Sequence, residues 1–177
     1  TFICNYAFSS NGSITGVTIP AGTETIGKGA FSLCSALRSA SIPATVMNMG
    51  KDIFAECSTL ENITFEDGLR SIGENAFYNC VSLKNVYIPD SVTSISDTAF
   101  YKCSGLEKVR ISENLTKLPS GIFCFCSSLT DAVIPDSVTS IEYAAFGKCD
   151  SLKEITIPKN VKSIGNQAFY SNTGLEG

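Results

Sequence analysis

Histidine is absent from the 177 residues of this chain. That removes the commonest general base, the usual partner of a nucleophilic Ser or Cys, and the commonest zinc ligand. Basic residues are scarce as well: 13 Lys and Arg stand against 17 Asp and Glu, a formal net charge of −4. No basic run offsets this balance, which argues against a nucleic-acid partner. Apolar runs extend only a few residues, too short for a membrane-spanning helix. No charged-then-apolar leader opens the chain. Hydrophobic residues still make up 44% of it, ordinary for a folded protein.

What the chain does have is a beat. Phe8, Phe31, Phe54, Phe77, Phe100, Phe123, Phe146 and Phe169 follow one another at 23-residue intervals, without insertion or deletion. Such a fixed period marks a solenoid, in which every coil offers the same side chain to the same layer of a continuous core. Aligned on the Phe, one coil reads Ile-Pro-x-x-Val-x-x-Ile-Gly-x-x-Ala-Phe-x-x-Cys-x-x-Leu-x-x-Val-x. The copy from Ile88-Pro89 to Ile111 shows it clearly. The Leu-x-x-Val-x-Ile end alternates with period 2 and is β-branched, so it predicts one short strand per coil, stacked in parallel into a single sheet. Val86, Val109 and Ile155 are its inward residues. Proline at 20, 43, 89, 135 and 158 ends each strand, because it has no N–H to donate. Val-x-x-Ile-Gly predicts a second, shorter extended segment. Ala-Phe-x-x-Cys predicts a turn of helix or 3₁₀ helix on the bulky side, with the stack curving so that its strands lie inside.

These motifs resemble the BspA-like class of leucine-rich repeat proteins over essentially the whole chain. The departures are Ile53 and Ile122 for Ala, Glu66 and Ser112 for Pro, and a loose copy at 46–50. The resemblance implies a leucine-rich repeat solenoid, a curved parallel β-sheet with helical or 3₁₀ turns on its convex side. It also implies an extracellular or cell-surface protein that binds other proteins in adhesion. Residues 1–177 are expected to form one domain of seven to eight coils, a piece of a longer surface protein, since the sequence starts and stops inside coils.

Eight cysteines raise the question of disulfides. Six share one register (Cys34, Cys57, Cys80, Cys103, Cys126, Cys149), with Asn11 and Asn172 at the equivalent outer places. Identical sites on identical coils point their Cβ atoms the same way, whereas a bridge needs them to converge. They are therefore expected to be buried, reduced thiols. Cys4 and Cys124 lie off the register, and Cys124 is expected to be exposed and oxidisable. Cys124-Phe125-Cys126 has no partner pair to complete a metal site.

Function in a solenoid resides on the variable outward positions. The residues before the central strand position run Gly16, Ser39, Asn62, Asn85, Lys108, Asp131, Glu154. Those after it run Thr18, Ser41, Thr64, Tyr87, Arg110, Val133, Thr156. The candidate binding patch is Asn85, Tyr87, Lys108, Arg110, Asp131 and Val133, because Tyr and Arg anchor binding hot spots. Two cations there predict a moderate loss of affinity with salt. Tyr78, Tyr101, Phe125 and Tyr170 form a second cluster that inter-coil packing explains equally well. Sequons occur at Asn11, Asn62 and Asn114. A glycosidase pair at Asp131 and Glu154 is disfavoured, since a shallow sheet face has no pocket to raise a carboxylate pKa. The expectation is a non-enzymatic module without cofactor or metal. It would bind a protein ligand, such as a host matrix or cell-surface protein, or a glycan. The alternative is a structural spacer.

Overall fold

The computed structural model describes residues 1–176, a parallel β-solenoid with one coil per Phe. The predicted strand forms in six successive coils: β2 (Gly16–Thr18), β4 (Ser39–Ile42), β6 (Asn62–Phe65), β8 (Asn85–Tyr87), β10 (Lys108–Arg110) and β12 (Asp131–Val133). They pair in parallel in the order β12-β10-β8-β6-β4-β2. Equivalent residues face each other, as in Val109 opposite Val86 and Ala132. The alternation reads exposed, buried, exposed along β8 and β12, as period 2 requires. Beyond β12 the sheet stops. Residues 154–156 form no strand, and Ile155 is half-buried against the core, so the expected seventh strand is missing.

The single sheet expected from the sequence is also joined by others. The second extended segments build a five-stranded sheet of β1 (Phe2–Ile3), β3 (Thr25–Ile26), β5 (Asn48–Met49), β7 (Ser71–Ile72) and β9 (Ser94–Ile95). A three-stranded sheet follows, made of β11 (Lys117–Leu118), β13 (Ser140–Ile141) and β14 (Ser163–Ile164). The loose copy at 46–50 takes its place as β5.

No helix forms among the described residues, and the Ala-Phe-x-x-Cys segment is a run of turns. The reason lies in its hydrogen bonds. Around Phe77, the N–H groups of Asn75, Phe77 and Asn79 donate to Asp97, Ala99 and Tyr101 of the next coil. The alternate N–H groups, of Ala76, Tyr78 and Cys80, donate three residues back within their own coil. A helix would direct every N–H along its own axis and leave the coils unbonded. The alternation instead needs left-handed backbone two residues before and two after each Phe. Asn75 and Asn79 sit there at φ 53° and 57°. Gly29 and Gly121 occupy the same register, where the missing Cβ removes the penalty. Leu33, Glu56, Lys102 and Phe125 bear it.

The core is layered as the period predicted. Phe54, Phe77, Phe100, Phe123 and Phe146 are fully buried, and neighbouring rings along the stack lie 5.0–5.7 Å apart. All eight cysteines are free thiols. In the six-residue register each Sγ–H donates to the carbonyl of the Phe in the preceding coil, as Cys103 does to Phe77 at 3.1 Å. The carbonyls of Phe54, Phe77, Phe100 and Phe123 also accept the N–H of the Cys in their own coil. Burial pushes the Cys57, Cys103 and Cys149 thiols up to about 12. Cys124 departs from expectation. It is buried, with its sulfur 3.8 Å from the Tyr170 hydroxyl, and Cys4 is the exposed thiol. Where Ser112 replaces Pro, its buried hydroxyl donates to the Val92 carbonyl at 2.6 Å and fastens that corner instead.

Candidate recognition face

Parallel in-register pairing brings the predicted residues into two rows on the outer face of the six-stranded sheet. Asn85, Lys108 and Asp131 align in one, and Tyr87, Arg110 and Val133 in the other. Tyr87 is 59% and Val133 70% exposed. Asn85, Lys108 and Asp131 are exposed too. Toward β2 the rows shrink to Gly, Ser, Thr and Asn, so only the β8–β12 end carries large side chains.

Arg110 is half-buried and fully engaged. Its guanidinium carbon lies 4.8 Å over the Tyr87 ring. Its two terminal nitrogens donate to the two Asp90 oxygens at 2.6 and 2.7 Å, and one of them also to the Ile88 carbonyl at 3.1 Å. Asp90 Oδ1 accepts the Glu113 N–H as well. The Arg110 guanidinium, then this N–H, hold the Asp90 carboxyl below the ordinary carboxylate range. The Asp90 hydrogen bond in turn raises the Arg110 pKa. Arg110 is therefore a clamp that fixes Tyr87 from beneath, and its charge is matched within the chain. The two-cation expectation is corrected: among the described residues, Lys108 is the cation of the patch that stands without a carboxylate within bonding distance. Sequence reasoning missed Asp90. It follows the strand-ending Pro89, and the repeat alignment gives no sign that an Arg twenty residues later reaches it.

Beside Val133 a cleft of about 590 Å³ opens between β12 and residues 154–156. Asp131, Val133, Glu113 and Glu154 line it. Large side chains, a locked aromatic and a neighbouring cleft thus coincide at one end of the sheet.

The second aromatic cluster is spent on packing. Tyr78 and Tyr101 stack at 5.7 Å, Phe125 meets Tyr101 edge-on at 5.4 Å, and Lys102 lies over both tyrosine rings. All four are half-buried. Of the sequon asparagines, Asn62 is exposed on the sheet. Asn11 accepts the N–H groups of Ser13 and Ile14, and Asn114 donates to the Asp90 carbonyl.

The model of the BspA type leucine rich repeat region, in six copies, matches residues 1–126 and 48–176. The chain belongs to the BspA-type leucine-rich repeat family. Among solved structures, a leucine-rich repeat protein from Bacteroides ovatus is 32% identical with a TM-score of 0.88, covering 93% of this chain and 43% of that one. A leucine-rich repeat protein of T. pallidum is 29% identical with a TM-score of 0.83, covering 93% of this chain and 77% of that one. A leucine rich cell surface protein from Faecalibacterium prausnitzii is 27% identical with a TM-score of 0.64, covering 98% of this chain and 61% of that one. This BspA-type chain therefore spans less than half the length of the Bacteroides ovatus protein. No curated protein matches its sequence. Among the described residues, no helix is long and apolar enough to cross a membrane.

Proposed function

We propose that this chain is a non-enzymatic recognition module of a cell-surface protein, binding a protein ligand in adhesion through the β8–β12 end of its six-stranded sheet. One observation carries the reading. Tyr87 is held exposed by the Arg110–Asp90 clamp, beside Val133, on a face whose positions toward β2 are small and polar. A pre-fixed aromatic costs little entropy on binding, which is what an anchor requires. Lys108, Asn85 and Asp131 supply the polar surround. Family membership and the cell-surface relative support an extracellular setting.

The test is a Tyr87→Ala/Val133→Ala variant, checked for an unchanged melting curve and compared with the parent on arrays of host-matrix proteins and glycans. Loss of binding by tenfold or more supports the site. Undiminished binding moves the site elsewhere, and no binding by either protein favours a spacer.

A further inference from the structure

The six-stranded sheet stops at β12 although the next coil continues past it. Residues 154–156 hold the register of β12, yet no N–H of 153–157 donates to β12 and no N–H of β12 donates to them. Across the preceding rung Lys108 stands opposite Asp131. Across this one Glu154 would stand opposite Asp131, and like charges in facing positions disfavour pairing. The cleft of about 590 Å³ beside Val133 lies where the pairing fails. Glu113, Asp131, Asp136 and Glu154 line it, all four exposed, and no Lys or Arg does. Elsewhere on the chain, exposed carboxylates are met by a cation one coil away: Glu61 by Arg38 at 2.7 Å, Glu74 by Lys51 at 2.8 Å and Glu107 by Lys84 at 3.1 Å. Among the described residues, the four cleft carboxylates pair with no cation.

We propose that this cleft takes Arg or Lys side chains, so that the ligand of the recognition face is a protein segment with basic residues on either side of an apolar one. The inference rests on the reading of that face given above and names its partner. Val133, beside the fixed Tyr87 ring, receives the apolar residue, and the carboxylates around it take the cations. A guanidinium meets a carboxylate through two parallel hydrogen bonds, so Arg fits best. Lys108 borders the patch, but four carboxylates outweigh one cation, which disfavours acidic segments and sialylated glycans. A single divalent ion suits the cleft less well. Among the described residues no three Asp, Glu or Cys side chains are grouped so as to hold a metal. Spread carboxylates match separate charges along a peptide instead. The segment lies over exposed side chains and does not part the coils, so the stacking of Phe146 on Phe169 at 5.6 Å beneath is undisturbed.

The experiment is an NMR titration of the chain with the capped peptide Gly-Arg-Ser-Leu-Ser-Arg-Gly and its Gln-for-Arg and Glu-for-Arg counterparts. Alternate residues of an extended peptide share a face, so Leu and both Arg can reach the sheet together. Saturable amide shifts at 113, 130–136 and 154–156 are expected with the Arg peptide. The Gln peptide should bind at least about tenfold more weakly, and the Glu peptide not at all. Raising NaCl from about 20 to about 300 mM should weaken the Arg peptide severalfold. Glu113→Gln/Asp131→Asn/Asp136→Asn/Glu154→Gln keeps each side chain's shape without its charge, and should lose the Arg peptide by about tenfold or more. Even if that variant folds poorly, the Gln peptide makes the same test on the unaltered chain. No saturable shifts, equal affinity for the Arg and Gln peptides, undiminished affinity in the folded amide variant, or the same shifts from calcium chloride alone overturns the proposal. Failure here is separable from failure of the recognition face. An array ligand lost by Tyr87→Ala/Val133→Ala but kept by the amide variant retains the face and overturns the basic partner. An Arg peptide held undiminished by Tyr87→Ala/Val133→Ala but lost by the amide variant supports the cleft and removes the Tyr87 anchor.

Discussion

Phe100→Ala probes the layered core most directly. The ring is fully buried and lies 5.0 Å from Phe77 and 5.7 Å from Phe123, so its removal strips one face from each neighbour. Transfer and cavity costs for a buried Phe→Ala run about 3–5 kcal/mol. The coils cannot collapse into the gap, because hydrogen-bonded ladders on both sides of the ring fix their spacing. The upper half of that range is therefore expected. For a chain of this size, each kcal/mol lowers Tm by about 2–4 °C, giving roughly 8–20 °C. Phe8 is the control. It is 42% exposed and stacks on Phe31 alone, at 5.2 Å, so Phe8→Ala should cost about 1–2 kcal/mol by the area it buries. Thermal melts and urea titrations followed by circular dichroism read both. Equal losses at Phe8 and Phe100, or a loss at Phe100 below about 2 kcal/mol, would refute the stacked-layer reasoning.

Five further outcomes follow from named contacts. At pH 8 a thiol reagent should modify Cys4 quickly in the native chain and all eight cysteines after denaturation. Folded thiols held above their ordinary value of 9.0 stabilise the protein fully below that pH. Stability should therefore fall as pH rises between about 9 and about 12, where the unfolded chain ionises first. At the acid end, Asp90 is held low, so the clamp's contribution is present above the ordinary carboxylate pKa and lost as pH falls through the lowered one. Asp90→Asn should remove that acid-limb dependence, and NMR of the Tyr87 ring protons should report a loosened ring. Gly147→Ala should destabilise markedly by thermal melt, because a Cβ there would collide with the Tyr170 ring. Leu33→Gly should instead stabilise by about 0.5–1 kcal/mol in urea titrations, since Leu33 is exposed with φ 60° and Gly relieves the left-handed penalty.

The sequence by itself determined the period, the Phe and Cys layers, the parallel in-register stacking of Val86 on Val109, and the two outward rows. Each of these is a one-dimensional pattern that a solenoid copies directly into space, because coil n meets only coils n − 1 and n + 1. What lay between coils was not legible in this way. Ala-Phe-x-x-Cys has the spacing of a helical turn, but its alternate N–H groups are claimed by the next coil, a tertiary demand that forces Leu33 and Phe125 into left-handed backbone. Cys124 lies off the buried register, yet the Tyr170 side chain, filling the space left by Gly147, reaches it from two coils away. Arg110 carries a cation in sequence, and only the three-dimensional meeting with Asp90 turned it from a contact residue into the support of Tyr87. Pro119 was visible as a residue, but the break in pairing between β9 and β11, where it has no N–H to offer the Ile95 carbonyl, appears only when the coils are set side by side.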